Sequence, residues 1–430
     1  MTAIITERLR RTLSQNIYND IDSSANEYYI AIGKSEQWQT GSDTVRTPEV
    51  TEREERLFRY SIQAVGKVGT DFKFTVPKYN WITNTVYSGY NDNIAAHPTT
   101  SYYVITSDRN VYVCLKQGKN ANGEAVVSNQ KPVHTGKTPV TMADGYVWRY
   151  LYTLSSSDFT NFVTSAYMPV NDADSASDSG QILGYRIINS GSGYSSTPTI
   201  NIIGNEDSAA AATPVLFNSQ IVDILPVAYG KGYDYANISV TGGGGSGAEI
   251  VPIFGPKAGL GVDSKRDLRV SAVMTSVDFT GNGSGDLVVD NDYRQIGIVK
   301  NIQPHGYIGD SNFTDTLGRA LRYMTVNSVT NFAIDDTLSK TEAAGTAQAY
   351  IDYIDVANLR IWYHQNEDTG FINFTTGAGL TSTSGGSATI ASFTDPEVDI
   401  HTGEVLYIDN RAAIDRTIES NDDIKIIFQI

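Results

Sequence analysis

One cysteine, Cys114, stands in 430 residues, so no disulfide can form within the chain. It lies in an apolar run with Val111, Tyr112, Val113 and Leu115, where a free thiol behaves as a small hydrophobe. Nothing in the sequence demands an oxidising compartment. Positive charge is also short: 32 Lys and Arg face 48 Asp and Glu, a formal net charge of −16. Phosphate-backbone recognition draws its affinity from clustered Lys and Arg, so no nucleic-acid partner is expected. Long apolar runs are missing too. No stretch approaches the roughly 18 consecutive apolar residues of a membrane span, and the N-terminal stretch carries Arg8, Arg10 and Arg11 without the apolar core of an export signal. A soluble chain with no export signal and no membrane insertion is the expectation.

Motifs that carry chemistry fail on their own spacing. Gly136-Lys137-Thr138 resembles the end of a phosphate-binding loop, but Lys131 occupies the place of the leading glycine and Pro139 opposes the helix that should follow. Asp172, Asp174 and Asp178 hint at a calcium loop, yet Ser177 stands where Gly is needed and Leu183 where Glu is needed. His97, His134, His305, His364 and His401 are dispersed, with no zinc-type pair. There is no GxSxG elbow, and the setting of Cys114 disfavours a thiolate. Asp335-Asp336 and Asp422-Asp423 face opposite ways on a strand or cap amides in a turn. No catalytic residue, metal or cofactor is expected; a cell-wall or capsule hydrolase built from distant carboxylates is the enzymatic rival.

What is abundant is Tyr (26) and Gly (38), with only 19% charged residues. That combination suits sheets joined by many turns and surfaces made for permanent contact. The most informative run is 144–154. Its Asp144-Gly145 turn leads into strict alternation, which places Tyr146, Trp148, Tyr150 and Tyr152 on one strand face and Val147, Arg149, Leu151 and Thr153 on the other. Such a face anchors a core or a subunit contact.

Along the chain, Thr6 to about Asp20 reads as a packing helix, with Ile5, Leu9, Leu13 and Ile17 on one stripe. A second helix starts at Thr47 or Thr51. Thr51 and Glu54 have capping-box spacing, and Leu57, Phe58, Ile62 and Val65 form its stripe before Gly66. Short strands follow at 72–76, 102–105 and 110–115. The polar run 171–180 reads as a linker or loop. Beyond it come two copies of a Gly-x-Gly-Tyr turn, at 191–194 and 230–233, each followed by alternating β-branched residues. Further strands are expected at 268–273, 293–299, 347–354, 359–363, 404–410 and 424–430. The fold class is mainly β with minor α: a β-sandwich-like core with two N-terminal helices and two inserted small β-rich modules. The core takes 1–170, 263–303 and 395–430; the modules take 171–262 and 304–394.

Several colinear segments resemble the baseplate wedge family known as gene product eight of T-even-type contractile-tailed bacteriophages. The carrying residues are Ile32-Gly33-Lys34-Ser35-Glu36-Gln37-Trp38, Pro77 with Trp81, residues 144–151, Tyr293-Arg294-Gln295-Ile296-Gly297-Ile298, and His401 through Arg411 to Ile430. Together they span 1–170, 267–302 and 395–430, and leave the two modules as additions. The resemblance implies a non-enzymatic structural subunit of the virion tail baseplate, made in the host cytoplasm. That subunit is a homodimer within each wedge, bound to other wedge subunits, in a platform that rearranges when the tail contracts. Trp38, Trp81, Tyr146, Trp148, Tyr150, Arg294, Tyr407 and Arg411 are the candidate interface or motif residues. The accessory modules would lie at the periphery, against neighbours or the host surface. The alternative is a receptor- or carbohydrate-binding tail protein, with Tyr79, Trp81 and Trp362 as stacking platforms.

Overall fold

A computed structural model describes residues 6–39, 41–93, 101–171, 179–280, 288, 290–309, 311–417 and 420–430. Among them are 27 strands and four helices, and the fold is mainly β. No described helix is long and apolar enough to cross a membrane. His97, Asp172, Asp174 and Asp178 lie outside the described residues, as does most of the polar run 171–180. The chain divides into two compact units, one of Met1–Tyr18, Lys73–Met274 and Ile427–Ile430, the other of Asn19–Phe72 and Thr275–Ile426.

Helix Glu7–Ile21 starts where Thr6 predicts, with Leu9 N donating to Thr6 Oγ1 at 3.2 Å. Its packing stripe differs from the expected one. Leu9 and Leu13 are exposed, whereas Ser14 and Ile21 are buried and Tyr18 stacks on Phe74 with ring centroids 4.4 Å apart. At about 100° per residue, positions 14, 18 and 21 share a face from which position 9 is turned away.

In the first unit, Tyr103–Ile105, Asn110–Lys116, Val147–Thr153 and Val140–Thr141 form a four-stranded antiparallel sheet. Tyr146 and Trp148 are fully buried with Tyr87 and Tyr112, and Trp81 and Tyr150 pack against them. Tyr152 leaves this face. Val111 pairs with Tyr152 and Tyr112 with Tyr150, so Leu151 is an extra residue, and a one-residue bulge reverses every side chain beyond it. Tyr152 instead donates to Pro169 O at 3.2 Å. The strand expected at 268–273 begins only at Ala272, because Asp263 caps a short helix, Ser264–Asp267, and Arg269 follows in the left-handed region at φ 57°.

The two Gly-x-Gly-Tyr copies fold as a pair related by a local two-fold. Strands Thr199–Gly204 and Ala236–Thr241 pair with Ile200 opposite Val240 and Ile202 opposite Ile238, so the axis runs through the Asn201 and Ser239 pair. Around it, Ile182–Ser192 of the first copy pairs with Ser246–Phe254 of the second, and Gln220–Lys231 of the second with Ser208–Phe217 of the first. Tyr194 and Tyr233 plug equivalent turns and are both buried.

In the second unit, an antiparallel sheet runs in the order Leu317–Arg319, Ile62–Lys67, Tyr28–Gly33, Asn291–Lys300, Glu404–Arg416. Its middle strand is buried at every position. Helix Glu52–Ser61 covers the sheet, with Thr51 accepting from Glu54 N at 3.2 Å as its cap. Phe58 presses onto Gly297 so closely that a Cβ there would lie 2.3 Å from the ring. The helix does not run to Gly66 as its stripe predicts: Ile62–Lys67 is a strand. Pairing with strands on both sides overrides the helical periodicity of Ile62 and Val65. Beyond the sheet, six strands between Arg322 and Thr394 close into a barrel: Arg322–Val326 pairs with both Arg360–His364 and Ser387–Thr394. Its interior is filled by Met324, Leu338, Ile351, Ile361 and Leu380.

Candidate functional site

A group of buried polar side chains in the second unit is assembled by irregularities in three strand pairs. In the first, Ile32 pairs with Ala64 and Gly33 with Ile62, which leaves Gln63 as an extra residue. In the barrel, Ile351 pairs with Tyr363 and Tyr353 with Trp362, which leaves Asp352 extra. In the third, Tyr293 pairs with Ile414 and Gln295 with Asn410, so residues 411–413 stand against Arg294 alone. A bulge re-aims a side chain that regular alternation would send elsewhere. Gln63, Asp352 and Arg294 are all buried as a result.

The segment after the strand Tyr28–Gly33 threads through them. Gly33 is required there, since a Cβ would sit 2.0 Å from Ser61 O, and Lys34 turns the chain at φ 66°. Ser35 Oγ donates to Asp352 Oδ1 at 2.7 Å, and Gln63 Nε2 reaches the same oxygen at 3.4 Å. The other Asp352 oxygen lies 2.8 Å from His364 Nδ1, and His364 Nε2 lies 3.5 Å from Glu36 Oε2. Lys34 Nζ pairs with Glu36 at 3.0 Å and lies over the Trp38 ring. Arg294 donates to Asp43 and Asp292, each at 2.6 Å, and to Ser35 O.

Every charge inside this group has an opposite partner: the cations Lys34, His364 and Arg294 face the carboxylates Glu36, Asp352, Asp43 and Asp292. Burial opposes a charged His364, but the Asp352 and Glu36 carboxylates outweigh it and hold the imidazole at about 9. Burial likewise opposes ionisation of Glu36, yet His364 and Lys34 bring its carboxyl below the usual range. The Arg294 guanidinium beside Asp43 holds that carboxyl low as well. The order of groups decides the chemistry. A nucleophilic serine needs its hydroxyl on the outer nitrogen of the imidazole, but Ser35 donates to the carboxylate, and Glu36 occupies the far side of His364. The arrangement is a clamp of paired charges, not an acyl-transfer triad. Among the described residues, no group of His, Cys, Asp and Glu is placed to hold a metal.

The candidate residues fall into two sets. Trp81, Tyr146, Trp148 and Tyr150 belong to the aromatic core of the first unit. Trp38, Arg294, Tyr407 and Arg411 belong to the second. There Trp38 Nε1 donates to Arg411 O at 2.8 Å and Arg411 pairs with Asp409, while Tyr407 is exposed. Trp362, offered as a sugar platform, is fully buried between Tyr323 and Tyr353, so no ligand can stack on it. Asp352 and Gln63 carry no signal in the sequence, and His364 stands out only as one of five dispersed histidines, because Ser35 and Glu36 lie far along the chain from Asp352 and His364, as Asp352 does from Gln63. Asp336 caps a turn, accepting from Ala333 N, Thr383 Oγ1 and Ser384 Oγ. No protein-family model matches the chain, and no curated protein matches it in sequence.

Proposed function

We propose that this chain is a structural subunit of a contractile-tail baseplate in the virion, acting as a homodimer that bridges neighbouring wedge subunits and catalysing no reaction. One observation carries the reading. Three of the separated segments on which the family resemblance rests meet at adjacent strands of one sheet: 32–38 runs out of the end of Tyr28–Gly33, 293–298 lies within Asn291–Lys300, and 401–430 contains Glu404–Arg416. Their polar residues bind one another, through Arg294 to Ser35 O and Trp38 to Arg411 O. Residues spent on holding three strands together suit a load-carrying framework, since a reaction centre would turn them toward a ligand. The test is electron microscopy of purified tails with antibody against this chain. Label confined to the baseplate end is expected; label absent from tails, or found only on other virion parts, refutes the assignment.

A further inference from the structure

The polar clamp is closed, but a second feature of the same unit is open and shares with it one residue, His364. A pocket of about 430 Å³ opens beside the barrel strand Arg360–His364, within the size range of small-molecule sites. Three rings from three parts of the chain meet at its mouth. Tyr60, in the last turn of helix Glu52–Ser61, lies 5.0 Å from Phe371 and 6.0 Å from His401 between ring centroids. Phe371 is 53% exposed, and His401 is exposed as well. A large apolar ring held open beside two others, over a concave surface, gives a ligand a face on which to stack.

The polar lining sets the class of ligand. Asp399 is fixed, accepting from His401 N at 2.9 Å, and exposed Asn373 adds an amide to the same lining. Of the basic side chains in the lining, Arg322 and His364 are already matched: Arg322 Nε lies 3.0 Å from Asp395, and His364 is held by Asp352. An anionic ligand would therefore find no uncommitted cation from these two and would face carboxylates on a chain of net charge −16. A planar aromatic base could reach the fixed carboxylate through its N–H groups, but the rings give it no parallel slot, since Tyr60 is tilted by 51° to Phe371 and by 66° to His401. A ring with an apolar C–H face and hydroxyl donors on its edge uses both the rings and the carboxylate. We infer that the Tyr60–Phe371–His401 pocket is a binding site for a neutral saccharide, free or as the terminal unit of a surface glycan. The site goes beyond the structural role and does not depend on it.

A single sugar held by stacking and a few hydrogen bonds binds in the millimolar range, which saturation-transfer difference NMR reads directly. The probes are methyl glycosides of the common neutral hexoses and N-acetylhexosamines, with sialic acid as the anionic comparison, on the full chain. At least one neutral glycoside should show transfer, and Phe371→Ala should weaken it by about fivefold to tenfold. Phe159→Ala, an exposed ring of the other unit, should leave it unchanged. Because Phe371 is exposed, its truncation should keep the circular dichroism spectrum; Asn373→Ala gives a second, fold-neutral arm with the same expected loss. No transfer to any neutral glycoside, transfer indifferent to both pocket variants, or preference for sialic acid would each overturn the inference. A surface glycan as the source is indicated if an oligosaccharide with the same terminal sugar binds more tightly than the methyl glycoside. Equal affinity indicates the free sugar. The antibody labelling of tails is read independently of all of these.

Discussion

His364 is an unusual residue to find charged, because 7% exposure leaves it little water. Its positive state survives only through Asp352 and Glu36, and Glu36 depends in turn on Lys34. This makes stability depend on pH in a defined direction. An imidazole held at about 9 when folded, against about 6.5 when unfolded, is protonated in both states at low pH, so its contribution is fully present there. Between roughly 6.5 and 9 the unfolded form has lost its proton while the folded form keeps it, and stability falls as pH rises. Urea-unfolding midpoints from pH 6 to 9.5 should show this decline, and His364→Gln should flatten it. The difference between the two proteins isolates the imidazole from other titrating groups. A wild-type profile parallel to that of the variant would mean that His364 is neutral in the fold. Removing Asp352 should be worse than removing His364, since Asp352→Ala leaves an imidazolium, a serine hydroxyl and an amide buried around a missing anion.

At the scale of strands and turns, bulges decide where side chains go, and here the sequence is least legible. The alternation at 146–152 is plain to read, yet one extra residue at Leu151 takes Tyr152 off the aromatic face. Gln63, Asp352 and Arg294 each reach the clamp through a local irregularity that no periodicity announces. Helix Glu52–Ser61 was legible at its start, where Thr51 caps Glu54 N although the Glu54 carboxylate turns to Arg46 instead of closing the capping box, but not at its end, which sheet pairing sets. The Gly-x-Gly-Tyr turns are the opposite case, since their glycines can be read directly. Gly191 and Gly230 have φ of 63° and 64°. A Cβ on either would lie 2.7 Å from two backbone atoms of the paired strand, Ala248 N and Ser246 O in one case, Ala210 N and Ser208 O in the other. The local two-fold therefore predicts equal penalties. Gly191→Ala and Gly230→Ala should each cost about 2–3 kcal/mol, from left-handed strain plus the clash. Gly193→Ala, also left-handed at φ 79° but with no atom nearer than 3.7 Å, should cost only about 1–2 kcal/mol. Urea denaturation measures all three, and a Gly193 variant as unstable as the other two would contradict the clash.

For the whole molecule, the governing quantity is the net charge of −16. Two copies that approach must overcome their mutual repulsion, which acts over about 30 Å at 10 mM salt and about 8 Å at 150 mM. If the chain is a homodimer, apolar contact must supply the attraction, and the exposed Leu406 and Tyr407 on Glu404–Arg416, the last strand in the order of its sheet, are placed to contribute. Self-association should therefore strengthen with salt, whereas binding to a basic neighbour would weaken. Sedimentation velocity at tens of micromolar should show the dimer fraction rising from 10 to 300 mM NaCl. Tyr407→Glu adds one more like charge to each copy and removes a ring, so it should lower the dimer fraction at every salt concentration and steepen the salt dependence. A species that sediments as a monomer throughout would remove self-association from the proposed role. A dimer that weakens with salt would place opposite charges, not these apolar side chains, at the contact.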